Sequence, residues 1–265
     1  MLNLNNISIT FNANTPDEKK VLKNINLNIK KGDFITVIGS NGAGKSTLYN
    51  VIAGTLKPNT GTILLTDENG VQKNITSDAE FKRARYIGRI FQNPLLGTAG
   101  KMSLEDNMMI CYKKGFKGFK ISLNNKMREF FREQLRVLNM GLENRLGDNV
   151  ELFSGGQRQA LTLLMAVMSK PSLLLLDEHT AALDPTNAAI IMELTRRFAH
   201  EYNLTVMMVT HNMQHALDYG NRLIMMNKGE IISDISGEEK KQLTMDSIVE
   251  LFKKIKVNND NVMLN

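Results

Sequence analysis

Three patterns of apolar and polar positions divide the chain. Near the start, Ile7, Ile9 and Phe11 alternate with polar residues, as do Ile25, Leu27 and Ile29. A period of two predicts half-exposed strands, and the polar stretch Asn14-Thr-Pro-Asp-Glu-Lys-Lys20 between them predicts a turn. Phe34-Ile-Thr-Val-Ile38 then runs apolar without alternation, the pattern of a parallel strand covered on both faces. A glycine-rich turn follows, then a predicted helix over Ser46–Ala53 that Gly54 closes, and a turn at Lys57-Pro-Asn-Thr-Gly61.

From about Asn93 to Met168 the apolar spacing becomes helical, over Leu104–Tyr112, Asn125–Leu138 and Gly156–Met168. Strand patterns return at Leu173–Leu176, Leu204–Val209 and Leu223–Met226, and a last amphipathic helix over Thr244–Ile255 opens on a threonine cap. The coarse picture is one sheet domain, 1–92 and 169–240, interrupted by a helical insert, 93–168, with a C-terminal helix and tail at 241–265. No repeat recurs along the 265 residues, so a single unit is expected.

The glycine-rich turn carries chemistry. Gly39-Ser-Asn-Gly-Ala-Gly-Lys-Ser46 fits the phosphate-binding loop GxxxxGK[ST] in full, between a predicted strand and a predicted helix. Glycines let successive backbone N–H groups turn inward on phosphate oxygens, and the positive end of the following helix dipole adds to that field. Ser40, Asn41, Gly42, Ala43, Gly44, Lys45, Ser46 and Thr47 are therefore the candidate ATP-binding residues. Lys45 is expected to reach the β- and γ-phosphates, and the Ser46 hydroxyl to ligate Mg²⁺. By chance, a pattern this restrictive arises on the order of once per hundred chains of this length.

Leu173-Leu-Leu-Leu-Asp-Glu178 supplies a second half: a buried strand with carboxylates at its C-terminal edge, where phosphates bind in open α/β sheets. Asp177 is the candidate magnesium residue. Glu178 is placed to accept a proton from the attacking water or to orient it. Alone, four leucines and Asp-Glu would read as core and a surface turn. Beside a phosphate loop, they read as a hydrolytic site.

Phe153-Ser-Gly-Gly-Gln-Arg-Gln159 distinguishes among such proteins. It resembles the ABC ATPase signature LSGGQ, with Phe153 at the first position. Ser154, Gly155 and Gly156 open the helix that runs to Met168, a second anion-seeking N-terminus that the chain's own phosphate loop does not need. The resemblance spans about residues 2–233, with the motifs in the family's order. It implies a RecA-like P-loop NTPase of the α/β class, with a parallel-sheet core, an antiparallel β subdomain and the inserted α-helical subdomain. It also implies that Ser154, Gly155, Gly156 and Gln157 cap the γ-phosphate held by a second copy, so that ATP closes a homodimer through composite sites.

The same resemblance assigns further positions. Gln92 matches the Q-loop glutamine, which contacts Mg²⁺ or the water. Asp184 matches the D-loop that touches the opposite site, and His211 the switch histidine that contacts the γ-phosphate. Phe11 falls where the family stacks an aromatic on adenine; by itself it reads equally as core at a strand end. Asp-Glu-His-Thr stands where Asp-Glu-Pro-Thr is commoner, placing His179 beside the candidate base. Either the ring fills the proline's place, or its protonation tunes Glu178 near neutral pH.

Composition narrows what remains. The hydrophobic share of 42% and charged share of 23% are those of an ordinary globular protein, and no apolar run approaches the roughly 20 residues that cross a bilayer. The single cysteine, Cys111, forms no internal disulfide, which fits a reducing compartment. The net charge of +6 is most concentrated in Lys113-Lys-Gly-Phe-Lys-Gly-Phe-Lys120. A solvated loop is the first reading of that run and attraction to anionic lipid headgroups the second. RNA stacking is third, and no nucleic-acid partner is expected.

By resemblance, Asn93–Met102 and the helical insert receive a coupling helix from an integral membrane permease. That places the chain on the cytoplasmic face of the cell membrane. Gly155–Met168, Asp177–Pro185 and His211–Lys228 resemble a bacterial importer branch that pairs a permease with a lipoprotein solute receptor, with aromatic amino acids as suspected substrates of some members. An exporter ATPase, or an ABC ATPase of a cytosolic assembly such as iron–sulfur cluster building, would carry the same motifs.

Overall fold

A computed structural model describes residues 1–67, 70–112 and 123–252. The basic run at 113–120 and the end of the expected last helix lie outside them. Two sheets organise the chain. One is antiparallel, in the order β2-β1-β4-β5, from β1 (Leu2–Phe11), β2 (Lys19–Ile29), β4 (Thr60–Thr66) and β5 (Gln72–Asn74). The other runs β10-β9-β3-β8-β7-β6. Its strands β3 (Phe34–Gly39), β6 (Ile87–Ile90), β7 (Leu173–Asp177), β8 (Val206–Val209) and β9 (Arg222–Asn227) are parallel, and β10 (Glu230–Ser236) closes one edge antiparallel.

The apolar runs follow from burial on both faces. Leu174, Leu176, Val206 and Met208 pack toward the helical insert, whereas Leu173, Leu175, Met207 and Val209 pack toward the antiparallel sheet. The amphipathic strands behave differently. In β1, Leu2 and Leu4 are buried with Ile7 and Ile9, although their spacing puts them in opposite phase. A register shift between Leu4 and Ile7, with Asn6 left-handed at φ 51, swings both pairs onto one face. In β2, Asn24 at φ 48 does the same for Leu22 and Ile25.

Helix α1 (Lys45–Ala53) leaves β3 and ends at a left-handed Gly54. A short α2 (Glu80–Arg83) precedes β6. The insert holds α3 (Leu104–Tyr112), α4 (Asn125–Arg136) and α5 (Gly155–Met168). Helix α6 (Pro185–Glu201) packs along α5, and α7 (Met213–Asp218) and α8 (Gly237–Lys241) flank the last strands. Residues 245–252 are helical, with the Ser247 N–H donating to Thr244 Oγ1 at 3.2 Å and Ile248 fully buried. Among the described residues, no helix is long and apolar enough to cross a membrane.

Candidate phosphate site

The β3–α1 turn forms a cleft of about 390 Å³ lined by Asn41–Thr47, by Lys19 and Val21 of β2, and by Glu178 and His211. Backbone geometry explains the glycines. Gly44 caps α1 at φ 100, and a Cβ there would lie 2.9 Å from Val21 O and from Leu22 Cδ2. The buried Lys45 ammonium donates to Gly39 O at 2.7 Å and Ser40 O at 3.0 Å, so the loop holds it in place. Burial lowers its pKa, and the charges of Glu178 and Asp177 oppose that shift.

Glu178 follows β7 in a left-handed conformation, φ 48, rare for a residue with a Cβ and a form of strain that collects at functional sites. Its N–H donates to Val209 O at 3.2 Å, and its Oε1 lies 2.5 Å from His211 Nε2. Sheet register brings these residues together, because Asp177 pairs with Val209 on β8, the strand that leads to His211. Asp177 lies outside the cleft lining, its Oδ2 3.3 Å from Arg89 Nη2. Ser46 and Asp177 are hard oxygen donors, and among the described residues no cluster of three or more His, Cys, Asp or Glu forms a cage. A pair of protein oxygens completed by phosphates fits magnesium.

Phe11 ends β1, 39% exposed, opposite Lys19, which lines the cleft. Gln92 lies exposed just past β6. Ser154, Gly155, Gly156, Gln157 and Asp184 fall outside the cleft lining. They form a second cluster. Ser154 Oγ accepts from Gln157 N at 3.2 Å, and Gln157 Oε1 accepts from Ser154 N at 3.1 Å, a reciprocal cap that opens α5. Asp184 caps α6, accepting from the Thr186 and Asn187 N–H groups, and Asn187 Nδ2 donates to it at 2.5 Å. Asn187 also packs so closely over Gly156 that a Cβ there would collide with its amide.

His179 does not line this cleft but borders a second pocket of about 250 Å³ with Glu178 and His211. The ring is 2% exposed, and its Nε2 donates to Thr195 Oγ1 at 3.1 Å, because that hydroxyl gives its own proton to Ile191 O. Burial, and secondly the neighbouring His215, bring its pKa down to about 3. The ring therefore stays neutral near pH 7 and occupies a packing position. The geometry supports the ring as filler and gives no support to tuning of Glu178.

A family model described as ABC transporter matches residues 22–181. The chain belongs to the ABC transporter family. It is similar to the tyrosine transport ATP-binding protein of Clostridioides difficile, 41% identical over 253 residues, covering 95% of this chain and 98% of that one. An energy-coupling factor transporter ATP-binding protein of Clostridium tetani is 30% identical, covering 88% of this chain and 78% of that one. Among solved structures, the ATP-binding cassette MJ0796, a dimer in a post-hydrolysis state bound to ADP and Pi, is 27% identical with a TM-score of 0.72, covering 89% of this chain and 98% of that one. The fold is that of an ABC cassette, and the chain is an ATP-hydrolysing subunit of a transporter.

Two residues to which the sequence patterns assign no role join the motifs. Gln159, fully buried in α5, donates from Nε2 to His179 O at 2.6 Å. Arg89 reaches Asp177 from β6. A charge inside the short strand Ile87-Gly-Arg-Ile90, and an amide inside the apolar face of α5, were the available signals.

Proposed function

We propose that two copies of this chain close around two ATP molecules and drive a bacterial importer whose cargo is an aromatic amino acid. The observation that carries the hydrolytic part is the convergence of Asn41–Thr47, Glu178 and His211 on one cleft. In this reading, the loop N–H groups and Lys45 bind the β- and γ-phosphates. Ser46, Asp177 and Gln92 hold the magnesium ion, which when bound neutralises phosphate charge. Glu178 takes a proton from the attacking water, and His211, hydrogen-bonded to Glu178, faces the γ-phosphate. Phe11 offers its exposed ring to adenine.

The signature cluster supports pairing. Ser154 and Asp184 are exposed, and both lie outside the cleft of their own chain. A second copy gives them a γ-phosphate to cap. The likeness to a cassette solved as a dimer agrees with this. A groove of about 980 Å³ between the core and the insert, lined by Phe81, Ile110, Thr162 and Met165, fits a permease helix. Leu95 and Leu96, 50% and 66% exposed on the turn after β6, flank this region and would join the contact. Such docking places the chain on the cytoplasmic face of the membrane, below a permease and its extracytoplasmic solute receptor. The cargo rests on the similarity to a tyrosine transport protein.

Glu178→Gln tests the engine: ATP should convert the variant to a stable dimer by light scattering, with turnover abolished. A variant that stays monomeric in ATP yet hydrolyses at the parental rate would sink the mechanism. Tyrosine-dependent stimulation of ATPase activity, in a complex co-purified with its permease and receptor, tests the cargo.

A further inference from the structure

We propose that Arg89 is a positioning residue for Asp177: its guanidinium neutralises the carboxylate while no divalent cation is bound, and competes with that cation for it. The proposal rests on the reading of Asp177 as a magnesium residue. The two side chains are 13% and 17% exposed, so each charge needs a partner. Arg89 Nη1 donates to Asn50 Oδ1 at 2.8 Å, Nη2 to Asp177 Oδ2 at 3.3 Å, and the guanidinium carbon lies 4.6 Å from the Phe91 ring centroid. Asn50 belongs to α1, so the cation links the phosphate-loop helix, the strand before Gln92 and the Asp177 carboxylate.

The geometry is that of an exchangeable pair. Arg222 grips Asp234 through two short contacts, Nε–Oδ1 at 2.6 Å and Nη2–Oδ2 at 2.5 Å. Arg89 offers Asp177 one longer contact, and its Nε is buried with no partner among the described residues. A bidentate fork would hold the carboxylate more firmly. A single contact leaves the second carboxylate oxygen available to another cation, whose charge then repels the guanidinium. Arg89 also lines the groove between core and insert, which gives the displaced side chain somewhere to go. Without Arg89, Asp177 would be a partly buried carboxylate with Lys45 as its nearby opposing charge.

The test uses the full chain as parent, Arg89→Met, Arg89→Lys, Asp177→Asn and the Arg89→Met/Asp177→Asn double variant. Two quantities are read: the Mg²⁺ concentration that half-saturates ATP binding by calorimetry, and the thermal midpoint in EDTA. Removing the competitor should lower the half-saturating Mg²⁺ about fivefold in Arg89→Met. Arg89→Lys, which keeps the charge, should stay near the parent. In EDTA, Arg89→Met should melt below the parent, but the double variant should match Asp177→Asn, because no carboxylate is left uncompensated. An unchanged or raised Mg²⁺ requirement in Arg89→Met, or an equal loss of midpoint in both backgrounds, overturns the proposal. If instead Asp177→Asn leaves the Mg²⁺ requirement unchanged, the reading of Asp177 fails and takes the proposal with it.

Discussion

Gln159 Nε2 donates to the carbonyl of His179 at 2.6 Å, tying the signature helix directly to the residue after Glu178. The same nitrogen lies 3.5 Å from Phe91 O, next to Gln92. One buried amide thus registers α5 against both segments that lead into the cleft. Gln159→Leu keeps the volume and removes the donor. It should cost about 1–3 kcal/mol of stability, because a buried carbonyl loses its partner. Turnover should fall more than ATP affinity, since the phosphate loop is untouched. Thermal unfolding and ATPase kinetics, measured on the same preparation, check both.

His179 makes stability depend on pH in a defined direction. Its pKa is about 3 in the folded chain, against 6.5 for an unperturbed imidazole. Between those values the unfolded state binds the extra proton, so the contribution is complete above pH 6.5 and lost as pH falls toward 3. His179→Gln should flatten the stability curve between pH 6.5 and 5 by about 1.4 kcal/mol per unit, read by urea unfolding. The neutral ring also predicts that His179→Pro leaves the pH profile of ATP hydrolysis unmoved. A shifted profile would restore the idea that the ring tunes Glu178.

Gly44→Ala tests the phosphate loop's backbone. The residue needs φ 100, and the added methyl would press on Val21 O and Leu22 Cδ2 at 2.9 Å. Strain and overlap together should cost about 2–4 kcal/mol and displace Lys45, abolishing ATP binding by calorimetry. Gly42→Ala makes the contrast. It also has positive φ, 78, but an added methyl meets nothing within 4 Å, so its loss of stability should be smaller.

Local signals are legible in the sequence. The β3 run, the α3 span and the β7 run appear where apolar spacing placed them, because burial on one helical face or both strand faces leaves a periodic trace. Helix α6 is not among the elements the apolar spacing predicts, although Asp184-Pro185 offers a cap and an N1 proline, both present in the structure. The bulges of β1 and β2 were illegible, since an asparagine in the left-handed region breaks the period that a strand reading relies on. Within the site, each motif had a local form, but the contacts between motifs did not. Arg89 and Asp177 lie 88 positions apart, and only the pairing of β6 with β7 makes them neighbours.

Arg83 shows the same limit in the scaffold of the phosphate site. The side chain is 1% exposed beneath the C-terminal end of α1. Its Nη1 donates to Val51 O at 2.7 Å and Ile52 O at 2.8 Å, Nη2 to Thr76 O at 2.9 Å, and Nε to Asp78 O at 2.9 Å. A fixed cation therefore meets carbonyls that the end of the helix leaves open, with the favourable sign for the dipole. Gly54 makes room for it, because a Cβ there would sit 2.9 Å from Arg83 Cδ and Nε. Burial lowers the guanidinium's pKa, partly offset by Asp78, yet the fork has no neutral substitute. Arg83→Met would leave these carbonyls without their donor at a cost on the order of 3 kcal/mol or more. For a chain of this size the midpoint should fall by about 6–12 °C. Arg83→Lys should recover only part of that, since an ammonium cannot span the same spread of acceptors. Arg132→Met, on the exposed face of α4, should change stability by under about 0.5 kcal/mol. Equal losses for Arg83→Met and Arg132→Met in calorimetric unfolding would show that α1 does not depend on this buried cation.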